Sequence, residues 1–435
     1  MGQESRPLNI GLYSPFFGQT IGGGEKYFGV TAEAIRDAFP RHRVEIVSPF
    51  TVDTVQYEGM LDLDLRGITF RNAALKGSGL GRRVRRLPVV RRYADLYLSA
   101  RSVAWTRRYD LLLSMVYVIP AFSRARRGVI LCQFPYQVDG SEPSRPGVPR
   151  LLYRAYAAPY RWLKNRFIGD EVDSFDLVIC QSRYVRGWVR RYWGRDCTVV
   201  TPPIDVPAGE PDFAAKRPII LSVGRFFATG HSKRHDVMVE EFGRLCDGGL
   251  SGWELHLVGS LDRSNPGDMR YFERVRKLAE GYAVHIHTDA PLAELKELYA
   301  QASIYWHAAG YGVDAERRPI DLEHFGMVTA EAMGYGAVPV AIARGGQVEV
   351  VDDGVDGFLW DDTGRLAERT MELVADPDLR RRMGRAARRS SARFSRDQFK
   401  QKMVASIRPL VRDLEASDRA RPEMASRGSG APPQR

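Results

Sequence analysis

The chain has 435 residues, 44% of them hydrophobic, 27% charged and 10% aromatic. That length fits two domains of roughly 200 residues, and the composition excludes a wholly disordered, collagenous or disulfide-stapled protein. The net charge of +11 is uneven: residues 1–200 carry 31 Lys+Arg against 18 Asp+Glu, residues 201–379 carry 17 against 30, and residues 380–435 carry 16 against 5. The first half is therefore suited to an anionic partner.

The opening MGQESRPLNIGLYSP has no apolar core of a secretory signal. Leu8–Tyr13 reads as a buried strand, Ser14–Gly24 as a loop and Glu25–Ala38 as a helix. Further strands are expected at Arg43–Ser48, Leu111–Ser114, Gly128–Gln133 and Leu177–Gln181. The longest apolar stretch, Leu111 to Phe122, is too short to span a bilayer. In the second half, strands are expected at Pro218–Gly224, Glu254–Gly259, Val284–His287, Ser303–His307 and Ala337–Ile342, with a helix near Asp236–Leu245. Short apolar runs alternating with helical patterns imply an α/β chain with two doubly wound parallel sheets, one per half.

The prolines of Thr201-Pro202-Pro203-Ile204-Asp205 place the boundary there. The expected domains are 1–203 and 204–395, with a helix at about 396–415 packing back on the first, and a disordered polar tail at 417–435. Cys132, Cys180, Cys197 and Cys246 are widely spaced and read as separate core residues of a reducing compartment, not a zinc site. Asp62-Leu63-Asp64 has D-x-D spacing but reads as two solvated aspartates on a strand, so no metal is expected.

Three features carry chemistry. Gly22-Gly23-Gly24 follows the first strand and opens a helix, where bare backbone N–H groups can approach a phosphate. Gly224-Arg225 and Ser232-Lys233-Arg234 place two cations beyond the carboxyl end of a buried strand, a forked donor and a point charge suited to a diphosphate. In Asp321-Leu322-Glu323-His324-Phe325-Gly326-Met327-Val328-Thr329-Ala330-Glu331, seven residues separate two glutamates around an expected helix start. A helix N-terminus holds a phosphate, and carboxylates accept hydrogen bonds from vicinal hydroxyls.

With GGGEK (22–26), TPPID (201–205), LSVGR (221–225), SKR (232–234), LHLVGS (255–260), EHFGMVTAE (323–331) and ARGGQVEVVDDGVDGFL (343–359), the chain resembles the family 4 glycosyltransferases of GT-B fold over about residues 8–410. The wording around EHFG and WHAAGYG (306–312) looks most like bacterial relatives of the α-1,2-mannosyltransferases that extend lipid-linked oligosaccharides.

The resemblance implies two Rossmann-like domains facing across a cleft, and a retaining, metal-independent hexosyltransferase without a cofactor. Its donor would be a GDP- or UDP-linked sugar of mannose or glucose type, and its acceptor a hydroxyl. By similarity Arg225 and Lys233 bind the donor diphosphate and, with Glu323 at the sugar, form the catalytic set. Glu331 takes the ribose, the amides of Gly326, Met327 and Val328 a phosphate or the sugar, and Gly23 and Gly24 the diphosphate from the first domain. Gln133 stands where many relatives carry a histidine that touches the sugar, and His324 is a second candidate sugar contact. His307, also in a matching segment, is a further candidate for direct ligand contact.

The acceptor side is read from charge. Arg82–Arg86, Arg91-Arg92 and the aromatic, basic run Arg150–Phe167 suit an anionic membrane surface and a lipid-linked acceptor, on a cytoplasmic protein that is peripheral to the membrane. Two alternatives are a nucleotide-sugar epimerase of the same architecture and a non-catalytic nucleic-acid or anion-binding protein. No nucleic-acid-binding signature supports the second, and no nucleic-acid partner is expected.

Overall fold

The computed structural model describes residues 6–73, 104–117, 122–136, 158–159, 162, 172–228, 230 and 232–420. The basic segments 82–92 and most of 150–167, together with the tail from 421, lie outside the described residues. The chain divides into two compact units: residues 1–180, 186–200 and 400–435, and residues 181–185 and 201–399.

The first unit comprises β1 (Asn9–Tyr13), α1 (Gly23–Ala38), β2 (Arg43–Ser48), α2 (Thr54–Leu61), β3 (Thr69–Asn72), β4 (Leu111–Tyr117), β5 (Arg127–Phe134), β6 (Leu177–Cys180), most of α3 (Arg183–Trp193) and β7 (Thr198–Val199). Its strands form one sheet in the order β3-β2-β1-β4-β5-β6-β7, and every recorded pairing is parallel. Parallel strands need crossovers that cover both faces, which is why β1 and β4 are buried almost throughout. The short β3 and α2 were not expected from the sequence, because neither carries a clear apolar period.

Asp62 caps α2 in the left-handed region, and Asp64 pairs with Arg66 and Arg36. The D-x-D pair therefore sits in a turn rather than on a strand, and the Arg66 and Arg36 guanidiniums occupy the Asp64 carboxylate. Cys180 and Cys197, expected as separate reduced residues, are joined in a disulfide across 17 positions. The parallel pairing of β6 with β7 brings them together, a long-range neighbourhood that residue spacing does not display.

The second unit comprises β8 (Arg217–Val223), α4 (His235–Asp247), β9 (Glu254–Gly259), α5 (Pro266–Leu278), β10 (Val284–Thr288), α6 (Leu292–Gln301), β11 (Ala302–His307), α7 (Met327–Gly334), β12 (Val338–Ile342), α8 (Gln347–Val350), β13 (Phe358–Trp360), α9 (Thr363–Ala375) and α10 (Pro377–Ser391). The strand order is β10-β9-β8-β11-β12-β13, again with parallel pairing throughout. Side chains alternate between two apolar layers. Ile220, Leu255, Leu257 and Trp306 join one core with Phe242 and Trp360, while Ile219, Leu221, Val258 and Tyr305 join the other with Leu298 and Tyr299. Sheet order reverses direction between β8 and β11. The carboxyl ends of those two strands therefore flank a topological switch point, where open α/β sheets bind ligands.

α11 (Arg396–Arg419) closes the described chain. It runs past the expected end near 415 and through residues 417–419, where a polar tail was expected. Its far end is held by charge within the first unit. Asp418 pairs with Arg126 at 2.7 Å and with Arg6 at 3.1 Å, while at the opposite end of the helix Lys400 pairs with the buried Glu33 at 3.0 Å. Arg126 and Arg6 stabilise a stretch whose composition alone would leave it loose.

Candidate functional site

At the carboxyl end of β8 the chain turns through Gly224, whose N–H donates to the Val258 carbonyl at 2.8 Å. A Cβ here would run into the Lys233 side chain, so the glycine makes room for the aliphatic stem of that lysine. Arg225 is exposed, its guanidinium stacked 4.5 Å over the Phe227 ring. Lys233 returns to the same strand end two residues before α4 and forms an ion pair with the Glu323 carboxylate. Only 18% and 17% of the two side chains is exposed, which limits solvent screening of the pair.

Glu323 has a second partner. His307, buried at the carboxyl end of β11, holds its Nε2 3.2 Å from Glu323 Oε2. Burial pushes the His307 pKa down, reinforced by the nearby Lys233 charge, so the ring is neutral and Nε2–H donates to the carboxylate. Burial alone would raise the Glu323 pKa, but Lys233 and His307 outweigh it and hold the carboxyl well below its usual range. The centre is thus a fixed carboxylate gripped by one cation and one neutral donor, assembled from β11, the loop after β8 and the loop before α7.

The Glu323 backbone is fixed by the glycine pair after β12. The Gly346 N–H donates to the Glu323 carbonyl at 2.7 Å. Gly345 adopts φ +61°, and a Cβ there would strike that carbonyl, so the site needs glycine for both conformation and space. Gly326 caps α7 at φ +109°, leaving the first N–H groups of the helix, from Met327 and Val328 onward, without intrahelical partners. The Gln347 amide packs against Gly326; it is fully buried, and neither its Nε2 nor its Oε1 has a partner among the described residues. Glu331 lies one turn into α7, half-buried, with the Tyr299 hydroxyl 3.4 Å from its Oε2.

Lys233, Glu323 and the tip of α7 are therefore brought together within one unit, with Arg225 at the head of the same loop. His324 is placed differently: its ring is buried and Nε2 donates to the Ile320 carbonyl at 3.0 Å, inside its own loop. The histidine that touches Glu323 is His307; sequence reading offered it only as a candidate ligand contact and missed this pairing, because its partner lies 16 residues away across a loop. Gln347 was missed for the same reason; the GGQ run showed only its glycines. Gly23 and Gly24 form the first turn of α1, and Gln133 lies near the end of β5, all in the first unit. Among the described residues, no helix is long and apolar enough to cross a membrane.

Residues 209–390 match the family described as Glycosyl transferases group 1. Among curated proteins, the chain is 28% identical over 262 residues to the GDP-Man:Man(3)GlcNAc(2)-PP-Dol alpha-1,2-mannosyltransferase of Dictyostelium discoideum, covering 55% of this chain and 48% of that one. It is 22% identical to human alpha-1,3/1,6-mannosyltransferase ALG2, covering 67% and 71% respectively. The chain thus spans about half the length of the first of these relatives. Among solved structures, sucrose-phosphate synthase from Thermosynechococcus elongatus superposes with a TM-score of 0.64 at 17% identity, covering 93% of this chain and 100% of that one. A glycosyltransferase from Rickettsia africae gives 0.60 at 16%, covering 94% and 99%. At such identity the likeness concerns the fold, which is GT-B: two parallel-sheet α/β domains.

Proposed function

We propose that the chain, whose residues 209–390 match the glycosyl transferases group 1 family, transfers a hexose from a nucleoside diphosphate sugar to a hydroxyl acceptor, with retention of configuration, as a family 4 enzyme. The observation that carries this reading is the Lys233–Glu323–His307 centre at the switch point of the second sheet, three residues before the cap of α7.

In this reading Arg225 and Lys233 neutralise the diphosphate as it departs, and the free N–H groups of Met327 and Val328 bind a phosphate oxygen. Glu323, kept ionised by its neighbours, accepts hydrogen bonds from sugar hydroxyls, and Glu331 accepts them from the ribose diol. The bond from the anomeric carbon to the phosphate oxygen breaks while one to the acceptor oxygen forms on the same face. The acceptor proton passes to the departing phosphate. Protein cations and a helix end supply the positive charge, so the step needs no divalent metal. Likeness to the mannosyltransferases favours a GDP-linked mannose donor and a lipid-linked acceptor, met by the basic first half of the chain at an anionic membrane face.

The test is a thermal-shift panel of GDP, UDP, GDP-mannose and UDP-glucose, followed by product analysis with the best donor. A donor that binds the folded state raises the melting temperature by mass action. Stabilisation by a sugar nucleotide, abolished in Lys233→Ala, is expected. Equal indifference to all four compounds would overturn the proposal, and donor conversion without any acceptor would favour an epimerase.

A further inference from the structure

A second cluster of ionisable side chains lies on the outer part of the same sheet and takes no part in the centre above. β10 is an edge strand, and its pairing sets His285 directly beside His256 of β9, with His287 opposite Val258. Because strand side chains alternate, Glu254, His256, His285 and His287 share one face. The contacts form a chain. Glu254 Oε2 is 3.1 Å from His256 Nε2, His256 Nδ1 is 3.1 Å from His287 Nε2, and His287 Nδ1 is 2.7 Å from Glu294 Oε1 on α6. His285 stands against His256 with ring centroids 4.7 Å apart, and Arg217 of β8 reaches Glu254 at 3.5 Å.

Counting protons exposes what the chain needs. Each neutral imidazole carries one N–H and one lone pair. His256 and His287 together offer two N–H groups for three contacts, and carboxylates stand at both ends. If His287 donates to Glu294 and His256 donates to His287, the lone pair of His256 Nε2 faces the Glu254 carboxylate. Two electron pairs cannot share that space at 3.1 Å without a cation between them. A proton on either ring or a bound metal ion would each fill the missing position. The third ring, His285, has ligand capacity toward the same spot: one ligand atom from each of Glu254, His256 and His285 lies within 4.8 Å of the others.

We propose that Glu254, His256 and His285 bind a divalent transition metal of the zinc class, with His287 and Glu294 as the outer relay that fixes the His256 tautomer. Two imidazoles and one carboxylate match the donor set such ions prefer, with a water completing the coordination. Contraction to ligand distances of about 2.1 Å needs a turn of the exposed His285 ring toward the buried His256 and the half-buried Glu254. Hydrogen bonding of the distal ring nitrogen through His287 to Glu294 is the usual support of a metal-bound imidazole. The ion would clip edge strand β10 to β9.

The experiment uses full-length, untagged protein stripped with chelator and titrated with Co2+, then Zn2+, at about pH 7.5. Expected are visible d–d absorption saturating at one ion per chain, its displacement by Zn2+, and a rise of several degrees in melting temperature. His285→Ala, at an exposed position, and Glu254→Gln should each weaken binding at least tenfold while the metal-free proteins melt near the wild type. No binding, or affinity unchanged in both variants, would overturn the proposal. So would metal-independent stabilisation that appears only on acidification, since a proton would then hold the position. All three readouts are independent of sugar-nucleotide binding.

Discussion

Lys233 and Glu323, ninety residues apart in sequence, form an ion pair at the carboxyl end of β8, and the same carboxylate oxygen accepts from His307. Two loops and a strand that share no local sequence pattern thereby fix one carboxylate beside a helix tip.

Replacing the cation should remove preorganised charge from the departing diphosphate. Lys233→Ala is expected to lower turnover by ~10²–10³, the typical loss for one such group. Steady-state kinetics on the donor identified by thermal shift will show it, and turnover within a factor of two of the wild type would count against the assignment.

In the proposed reading, Glu323 acts on the sugar rather than on the nucleotide. Glu323→Gln should abolish detectable turnover while leaving nucleoside diphosphate affinity within several-fold. Calorimetric titration alongside the rate assay separates the two effects; loss of nucleotide binding together with activity would mean the carboxylate merely holds Lys233.

The glycine pair offers a steric test. Gly345→Ala would push a Cβ into the Glu323 carbonyl, whereas Gly354, also at positive φ (+77°), has nothing within 4 Å of a Cβ. Gly354→Ala should cost only the left-handed backbone penalty of about 1–2 kcal/mol. Gly345→Ala should cost more and depress turnover as well. Equal melting temperatures for the two variants would contradict the packing described.

Acid should destabilise the second unit through its buried histidines. His235, fully buried and stacked at 4.4 Å on Phe226, has its pKa pushed down to about 3 by burial, helped by Lys233. Its folded pKa lies below the unfolded one, so below about pH 6.5 the unfolded chain takes up a proton that the folded chain refuses. Stability therefore rises with pH across the window from about 3 to about 6.5 and levels off above it. Melting temperatures measured from about pH 5 to about pH 7.5 should climb, with a shallower slope in His235→Phe. An unchanged slope would point to other groups. Glu323 acts in the same direction at lower pH: its depressed pKa contributes stability that is lost as pH falls through the folded value.

The bridge between Cys180 and Cys197 closes a loop of 17 positions. A loop of that size constrains the unfolded chain by about 3 kcal/mol. Cys197→Ser should melt several degrees lower than the oxidised wild type, and reductant should bring the wild type down to the variant. No effect of reductant on the wild type would show the bridge to be absent in solution.

Apolar runs such as Ile219–Val223 and Leu111–Leu113 are buried from both sides in any parallel sheet, so their strands and the two parallel sheets were readable from order and composition, while the GT-B expectation came from the resemblance of the motifs to a known family. The same holds for Gly224-Arg225, Lys233 and the spaced glutamates, whose chemistry and position after a strand or before a helix are local properties. What depended on tertiary structure is every pairing between distant segments: His307 on Glu323, Gly345 beneath the Glu323 carbonyl, Cys180 with Cys197, and His256 beside His285. Such neighbours arise from strand register and crossover connections, which bring together residues whose separation along the chain carries no trace of their contact.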